Sequence, residues 1–317
     1  MSGRRGVSGR RGVSGRRGGS VVPELPEVEN VRCNLETLLV GKQVKRVEVR
    51  LPRIVRTPPN PDVFAALLSG VTVTGVGRRG KYLLIHTDAL TLVSHLRMEG
   101  QYRVARAGEP EPPHTHVVFH LADEMELRYR DVRQFGTMDL VYGNQPWPSG
   151  LLQLGPEPFD PVLDAGGLWR RIHSHRTPLK AVLLDQKTLA GLGNIYVDET
   201  LFTAGIHPER PANQVTKAQA EVLLSAIRDV LTQAIAAGGT TVKTYVDGYG
   251  RHGGFQIQLQ VYAREGQPCR VCGAVIEKTR VAGRGTHFCP QCQPHRHKTG
   301  SVAPLKTGSG ETGRRVR

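Results

Sequence analysis

The stretch Pro23-Glu-Leu-Pro-Glu-Val-Glu29 opens the folded part of this chain and decides how the rest is read. Pro26 suits a first helical position, where a missing N–H is no loss. Glu24 and Glu27 then sit at the positive end of the helix dipole. Val28, Val31, Leu35, Leu38 and Leu39 recur on one helical face, and Gly41 supplies the stop. Cys33, within this apolar pattern, is expected to be a buried, inert thiol. Past Val44 the period changes to two: Val47-Glu-Val-Arg-Leu51 alternates, and short alternating runs continue from Thr87 to about Tyr142, separated by Gly, Pro and Asp. The expectation is a single helix followed by an antiparallel β-sandwich.

On the N-terminal side, Ser-Gly-Arg-Arg-Gly occurs three times within residues 2–18. Such sequence has nothing with which to build a core, so disorder is expected over 1–22. On the other side, the proline-rich Gln145–Pro161 reads as a linker. Leu168–Leu184, Gly193–Ala204 and Lys217–Ala237 read as helices, the last capped by Thr216 and ended by Gly238-Gly239. Gln256–Tyr262 and the cysteine-bearing end read as short strands. The division expected is a 1–22 extension, a sandwich domain over 23–144, a linker over 145–165, a helical domain over 166–258, a zinc module over 259–293, and a disordered basic tail over 294–317.

Four of the five cysteines are clustered. Cys269-Arg-Val-Cys272 and Cys289-Pro-Gln-Cys292 have the C-x2-C…C-x2-C spacing of a tetrahedral zinc site. Four thiolates close the shell, so one structural Zn2+ is expected. Lys278, Arg280, Arg284 and His287 lie between the pairs and suit a turn presented to phosphate. The chain carries +15, but residues 1–22 hold six arginines and no acid, and the end from His295 holds a net +5. The body keeps only about +4, a charge that fits either a DNA binder with one basic face or an ordinary protein with solvated tails. No apolar run reaches the length of a membrane span, and no secretory signal opens the chain.

The opening Pro23–Glu29 stretch resembles that of the mature formamidopyrimidine-DNA glycosylases. Further matches follow in order: Arg79-Gly-Lys81-Tyr-Leu, His95-Leu-Arg-Met98, Asp131-Val-Arg133-Gln-Phe135-Gly, Gly191-Leu-Gly-Asn194-Ile-Tyr, Gly238-Gly-Thr-Thr241 and the terminal cysteines. The resemblance covers about residues 23–293. It implies an α+β multidomain protein: a sandwich with one N-terminal helix, a helix–two-turn–helix domain and a C-terminal zinc-finger hairpin, with DNA in the cleft between. The implied function is bifunctional glycosylase and AP lyase of base excision repair, acting on 8-oxoguanine and formamidopyrimidines in double-stranded DNA, as a monomer in the bacterial cytoplasm at the nucleoid.

By the same resemblance Pro23 forms a Schiff base with the sugar, Glu24 moves protons, Lys81 assists β-elimination and Arg284 assists δ-elimination. A terminal secondary amine is a capable nucleophile, and its iminium is an electron sink that acidifies the C2′ proton. A base inside a duplex has to be flipped out first. Met98 and Phe135 match the residues that fill the vacated space, Arg133 the one that bonds the orphaned partner. His114, Arg176 and Asn194 match phosphate contacts, and the glycine-rich 240–255 loop matches the segment covering the extruded base.

One departure bears on all of this. With Val22 attached, the Pro23 nitrogen is a tertiary amide and cannot attack. Either Val22 marks the true start, read as a methionine that is then removed, or the extension is made and is cleaved or retained. The first is favoured here. Two further readings stay open: an endonuclease VIII-type enzyme for oxidised pyrimidines, and a non-catalytic zinc-containing lesion binder blocked by its extension.

Overall fold

The structure, a computed structural model, describes residues 22–240 and 254–295. Of the expected disordered ends, residues 1–21 and 296–317 fall outside the described residues, as does 241–253 of the glycine-rich 240–255 loop; Val22, Pro294 and His295 are described.

Helix α1 (Leu25–Leu39) has Glu24 as its N-cap and a proline in its first turn. Val28, Val31, Leu35 and Leu39 are buried in the sandwich core, as the apolar spacing predicts. Cys33 corrects the expectation: it is exposed. Its position falls between the turns that carry the buried row, on the opposite side of a 3.6-residue period.

Strands β1 (Val44–Val49), β6 (Gln101–Arg106), β7 (Thr115–Leu121) and β8 (Met125–Arg130) form one sheet in the order β1-β7-β8-β6. Strands β2 (Val55–Thr57), β3 (Val73–Arg79), β4 (Tyr82–Thr87), β5 (Thr91–His95) and β9 (Thr137–Val141) form the second, in the order β2-β9-β5-β4-β3. Pairing is antiparallel except between β2 and β9, which run parallel. The sandwich also carries a helix that the alternation hides, α2 (Pro61–Leu68). Asn60 caps it, accepting hydrogen bonds from the amides of Asp62 and Val63. The single helix expected before the sandwich is there, and the sandwich adds a second helix between β2 and β3 and one parallel pair.

The proline-rich linker holds a short helix, α3 (Ser149–Leu152). The expected long helix over 168–184 is two helices, α4 (Ala165–His173) and α5 (Leu179–Leu184). Pro178 separates them, because its ring and missing N–H cannot continue a helix. Next come α6 (Asn194–Thr203) and α7 (Lys217–Ala236), the latter with a full capping box at Thr216 and Gln219. Residues 256–262 form no strand: Phe255–Ile257 is a 3-10 turn, and Glu199 of α6 accepts the amides of Gln260, Val261 and Tyr262. A hairpin of β10 (Glu277–Val281) and β11 (Arg284–Phe288) follows.

The cores explain where a cleft can form. The sandwich core and the helical core are separate clusters, and α1 belongs to both. Leu25, fully buried, packs in the helical core, whereas the rest of the apolar row packs in the sandwich. Burying that one side chain contributes about 1.5–3 kcal/mol, and it anchors the first turn of α1 at the junction.

Candidate active site

Glu24 precedes α1 and points across the junction at the N-terminus of α6. Its carboxylate accepts hydrogen bonds from the amides of Ile195 at 3.0 Å and Tyr196 at 3.3 Å. Two glycines make room for this approach. A Cβ on Gly193 would lie 2.3 Å from the Glu24 carboxyl carbon, and Gly191, at φ +94°, passes so near Leu25 that a Cβ would sit 2.5 Å from its Cδ1. Burial pushes the Glu24 carboxyl up to about 7; nearby Lys81 opposes the rise, Glu27 adds to it, and the two amides oppose it. A carboxyl poised there can both give and take a proton near neutral pH.

Glu27 is the partner that sequence reasoning left as a mere dipole companion. It accepts from the Glu24 amide at 2.9 Å, from the Tyr196 hydroxyl at 2.6 Å, and from the Thr240 amide at 2.8 Å. It thus fastens the first turn of α1 to α6 and to the base of the glycine-rich segment. Its signal was present as the third residue of a capping box.

Lys81 sits in the two-residue turn between β3 and β4, where Arg79 pairs with Tyr82. The linker braces this turn from outside: Glu157 accepts from the Gly80 amide at 2.5 Å, and Arg79 donates to the Gly155 carbonyl at 2.6 Å. Burial pulls the Lys81 ammonium below the usual lysine range, Glu24 and Glu27 oppose that, and Arg284 adds to it.

Arg284 opens β11 after the turn Ala282-Gly283, both at positive φ, as a two-residue hairpin turn requires. The hairpin is mounted on the helical domain. The Gly285 carbonyl accepts from Lys180 and from Asn194, each at 3.0 Å, and Asp198 accepts from the His287 amide at 2.9 Å. Lys180 and Asp198 form a fully buried ion pair at 2.6 Å.

Glu24, Lys81, Met98, Phe135, Asn194 and Arg284 all line one open cleft of about 720 Å³, with Val22 at its wall. Pro23 is buried beside them. Arg133 stands next to that group, its guanidinium 5.1 Å from the centre of the Phe135 ring. Asp131 pins their loop, accepting from the amides of Arg133 at 3.1 Å and Gly136 at 2.8 Å. His114 is exposed, and its carbonyl accepts from the Asp131 amide. Arg176 is exposed between α4 and α5 and does not line the cleft. Arg56 and Tyr262 also line it without having been singled out in the sequence, as does His95, which the sequence offered only as part of a matching motif with no role assigned. His95 is the informative one: its Nδ1 accepts the Arg97 amide at 3.0 Å, shaping the turn that presents Met98.

The four clustered cysteines suit zinc. All four sulfurs lie within 4.8 Å of one another, with Cys269 and Cys292 Sγ 3.8 Å apart and Cys272 and Cys289 Sγ 3.4 Å apart. A tetrahedron with Zn–S bonds of about 2.3 Å has edges of about 3.8 Å. The amides of Val271 and Cys292 donate to Cys269 and Cys289 sulfurs, as thiolate ligands require. Cys269, Cys272, Cys289 and Cys292 hold one structural Zn2+; with four thiolates it has no open position.

Comparison with known proteins fits this geometry. Three family profiles match in succession: the formamidopyrimidine-DNA glycosylase N-terminal domain over residues 22–138, the formamidopyrimidine-DNA glycosylase H2TH domain over 154–246, and the zinc finger found in FPG and IleRS over 266–294. The formamidopyrimidine-DNA glycosylase of Bacillus licheniformis is 51% identical over 273 residues, 86% of this chain and 99% of its own length. That of Geobacillus kaustophilus is 51% identical over 274 residues, 86% of this chain and all of its own. A Lactococcus lactis FPG mutant, solved with DNA containing Fapy-dG, superposes with a TM-score of 0.81 at 43% identity, covering 86% of this chain and 100% of that one. Fold and site together define the class: a DNA glycosylase of base excision repair that also has AP lyase activity. More narrowly, the chain belongs to the formamidopyrimidine-DNA glycosylase family. Among the described residues no helix is long and apolar enough to cross a membrane.

Proposed function

We propose that this enzyme removes 8-oxoguanine and formamidopyrimidines from double-stranded DNA through a Schiff base on Pro23, followed by β,δ-elimination. The observation that carries the reading is Glu24: directly after the nucleophile, buried, and held at about 7. The neutral Pro23 amine, of ordinary pKa about 7.7–8, attacks C1′ of the flipped nucleotide and the base departs. Glu24 protonates the opening sugar, Lys81 assists loss of the C2′ proton, and Arg284 assists the second elimination. Met98 and Phe135 occupy the gap left in the duplex, and Arg133 bonds the unpaired base. His114, Arg176 and Asn194 hold phosphates.

This chemistry requires a Pro23 nitrogen free of Val22. Supporting that state, the match to the family's N-terminal domain begins at residue 22, after the arginine repeats. The enzyme works as a monomer in the bacterial cytoplasm, at the nucleoid, with a sandwich domain over 23–144, a helical domain over 166–258 and a zinc finger over 259–293. Borohydride trapping on an 8-oxoguanine duplex, with mass analysis of the adduct, tests the proposal: a covalent adduct at Pro23 is expected. A protein that binds the duplex but gives no adduct is the non-catalytic binder instead.

A second substrate class has one observation behind it. The Lactococcus lactis enzyme, 42% identical, has been solved with DNA containing an oxidized pyrimidine. Excision of an oxidised pyrimidine at a rate matching 8-oxoguanine would place this enzyme between the two specificities.

A further inference from the structure

Away from the cleft, the turn after α6 meets the chain just past the last cysteine. The Gln293 side chain donates to the Ile206 carbonyl at 2.9 Å, and its own oxygen accepts the Cys289 amide, so the two segments are tied together. Beside that tie, His207 packs edge-on against Phe288 and against His295, both with ring centres 4.7 Å apart. Glu209 faces the same space, with an oxygen 3.9 Å from His295 Nε2. One ligand atom from each of His207, Glu209 and His295 lies within 4.8 Å of the others.

We propose that His207, Glu209 and His295 form a second metal site, taking a divalent ion of the zinc, nickel or cobalt type. Two imidazoles and one carboxylate are a borderline donor set that these ions prefer over calcium or magnesium. His207 is buried and fixed, and the half-exposed Glu209 stands two residues on in the same turn. The His295 side chain, 66% exposed, supplies the small movement needed to bring the donors to the roughly 3.4 Å separations of bonds near 2.1 Å. Three protein ligands leave room for water.

The site differs in kind from the cysteine site. His207 Nδ1 accepts the Glu209 amide at 3.2 Å, which puts the neutral ring's proton on Nε2. Coordination through Nε2 moves that proton to Nδ1 and loses the contact. The ion is therefore held more weakly than one gripped by four thiolates, and it exchanges. When bound it clamps residue 295 to the helical domain, fixing the point from which the basic segment 296–317 departs.

Calorimetric titration of the full chain, carrying its cysteine-bound zinc and dialysed against a mild chelator, with ZnCl2 alone tests this. About one further equivalent is expected in the wild type and none in His295→Ala or Glu209→Gln, both at accessible positions, with the first zinc and lesion cleavage unchanged. His207→Ala is expected to behave alike. A His297→Ala control separates the neighbouring tail histidine and is expected to keep the second equivalent. No second equivalent in the wild type, or an undiminished one in both His295→Ala and Glu209→Gln, overturns the proposal.

Discussion

Gly193 gives Glu24 the space in which its carboxylate reaches the first amides of α6; a Cβ there would sit 2.4 Å from Glu24 Oε1. Gly193→Ala therefore cannot coexist with the present position of Glu24. Overpacking of this kind costs about 1–3 kcal/mol, so the variant should still fold. Its single-turnover excision rate should fall by about 10²-fold, the low end of what a positioned acid–base group contributes. Duplex affinity should change little. An excision rate equal to wild type would mean that the carboxylate is not needed where it lies.

The raised pKa of Glu24 has a stability consequence with a definite sign. Its folded value, about 7, lies above the ordinary 4.5, so the folded state holds the proton more tightly. That stabilisation is complete below about pH 4.5 and is lost as pH rises through 7. Two and a half pH units correspond to about 3 kcal/mol. Glu24→Gln removes the penalty of ionising a buried acid, so it should be more stable than wild type at pH 8 by up to that amount and no more stable at pH 4. Denaturant melts at the two values check this, and equal differences at both would contradict the assignment. Excision by the wild type should give a bell-shaped profile, rising as the Pro23 amine deprotonates and falling as Glu24 ionises.

The buried pair Lys180–Asp198 holds the Gly285 carbonyl and the His287 amide, and with them the hairpin that carries Arg284. Lys180→Met leaves Asp198 buried without its cation, and losses of this type run to about 3–5 kcal/mol. The double variant Lys180→Met/Asp198→Leu should recover part of that stability, since no charge remains uncompensated. Strand cleavage should remain impaired in both, because the Gly285 carbonyl has lost one of its two donors and keeps only Asn194. Chemical denaturation and a gel assay for the doubly eliminated product separate the two effects.

Zinc removal acts on the same hairpin from its other end. The small cluster of Phe202, Val261, Cys269, Ile276 and Cys289 is too slight to hold it alone, and structural zinc contributes on the order of 10 kcal/mol in isolated fingers. Cys272→Ser with chelation should abolish DNA nicking while most far-UV circular dichroism survives, since the sandwich and helical cores are separate clusters. Retained nicking by zinc-free protein would exclude the hairpin from the reaction.

How far the sequence carried depends on how local each signal is. Helix α1 was legible because Val28, Val31, Leu35 and Leu39 repeat at helical spacing and bury together. The same spacing places Cys33 on the outer side, a reading that the phase of the apolar row already allowed. Helix α2 carried a fair signal in Asn60-Pro61-Asp62, a cap followed by a proline and an acid, but strand-like alternation on both sides masked it. The zinc ligands were fully legible, since their spacing is the geometry. The role of Glu27 was not: its partners Tyr196 and Thr240 lie 169 and 213 residues away, and only packing brings them together. Residues 256–262 failed as strands for a similar reason, because their amides are taken by a carboxylate of α6 instead of a neighbouring strand.

Phe135 offers the cleanest separation of function from stability. It is 52% exposed at the cleft, on a loop whose shape is set by Asp131 and not by the ring itself. An exposed aromatic normally contributes little to folding, and surface changes stay within about 0.5 kcal/mol. Phe135→Ala should therefore melt like wild type. If the ring enters the duplex where the lesion leaves it, unstacking loses its compensation, worth about 1–3 kcal/mol for a base against an aromatic ring. Excision from a duplex should then slow by roughly 10-fold or more, whereas cleavage at a preformed abasic site, where no base has to be expelled, should slow less. Paired single-turnover measurements on the two substrates check this, and equal slowing on both would assign Phe135 to general DNA binding rather than to base extrusion.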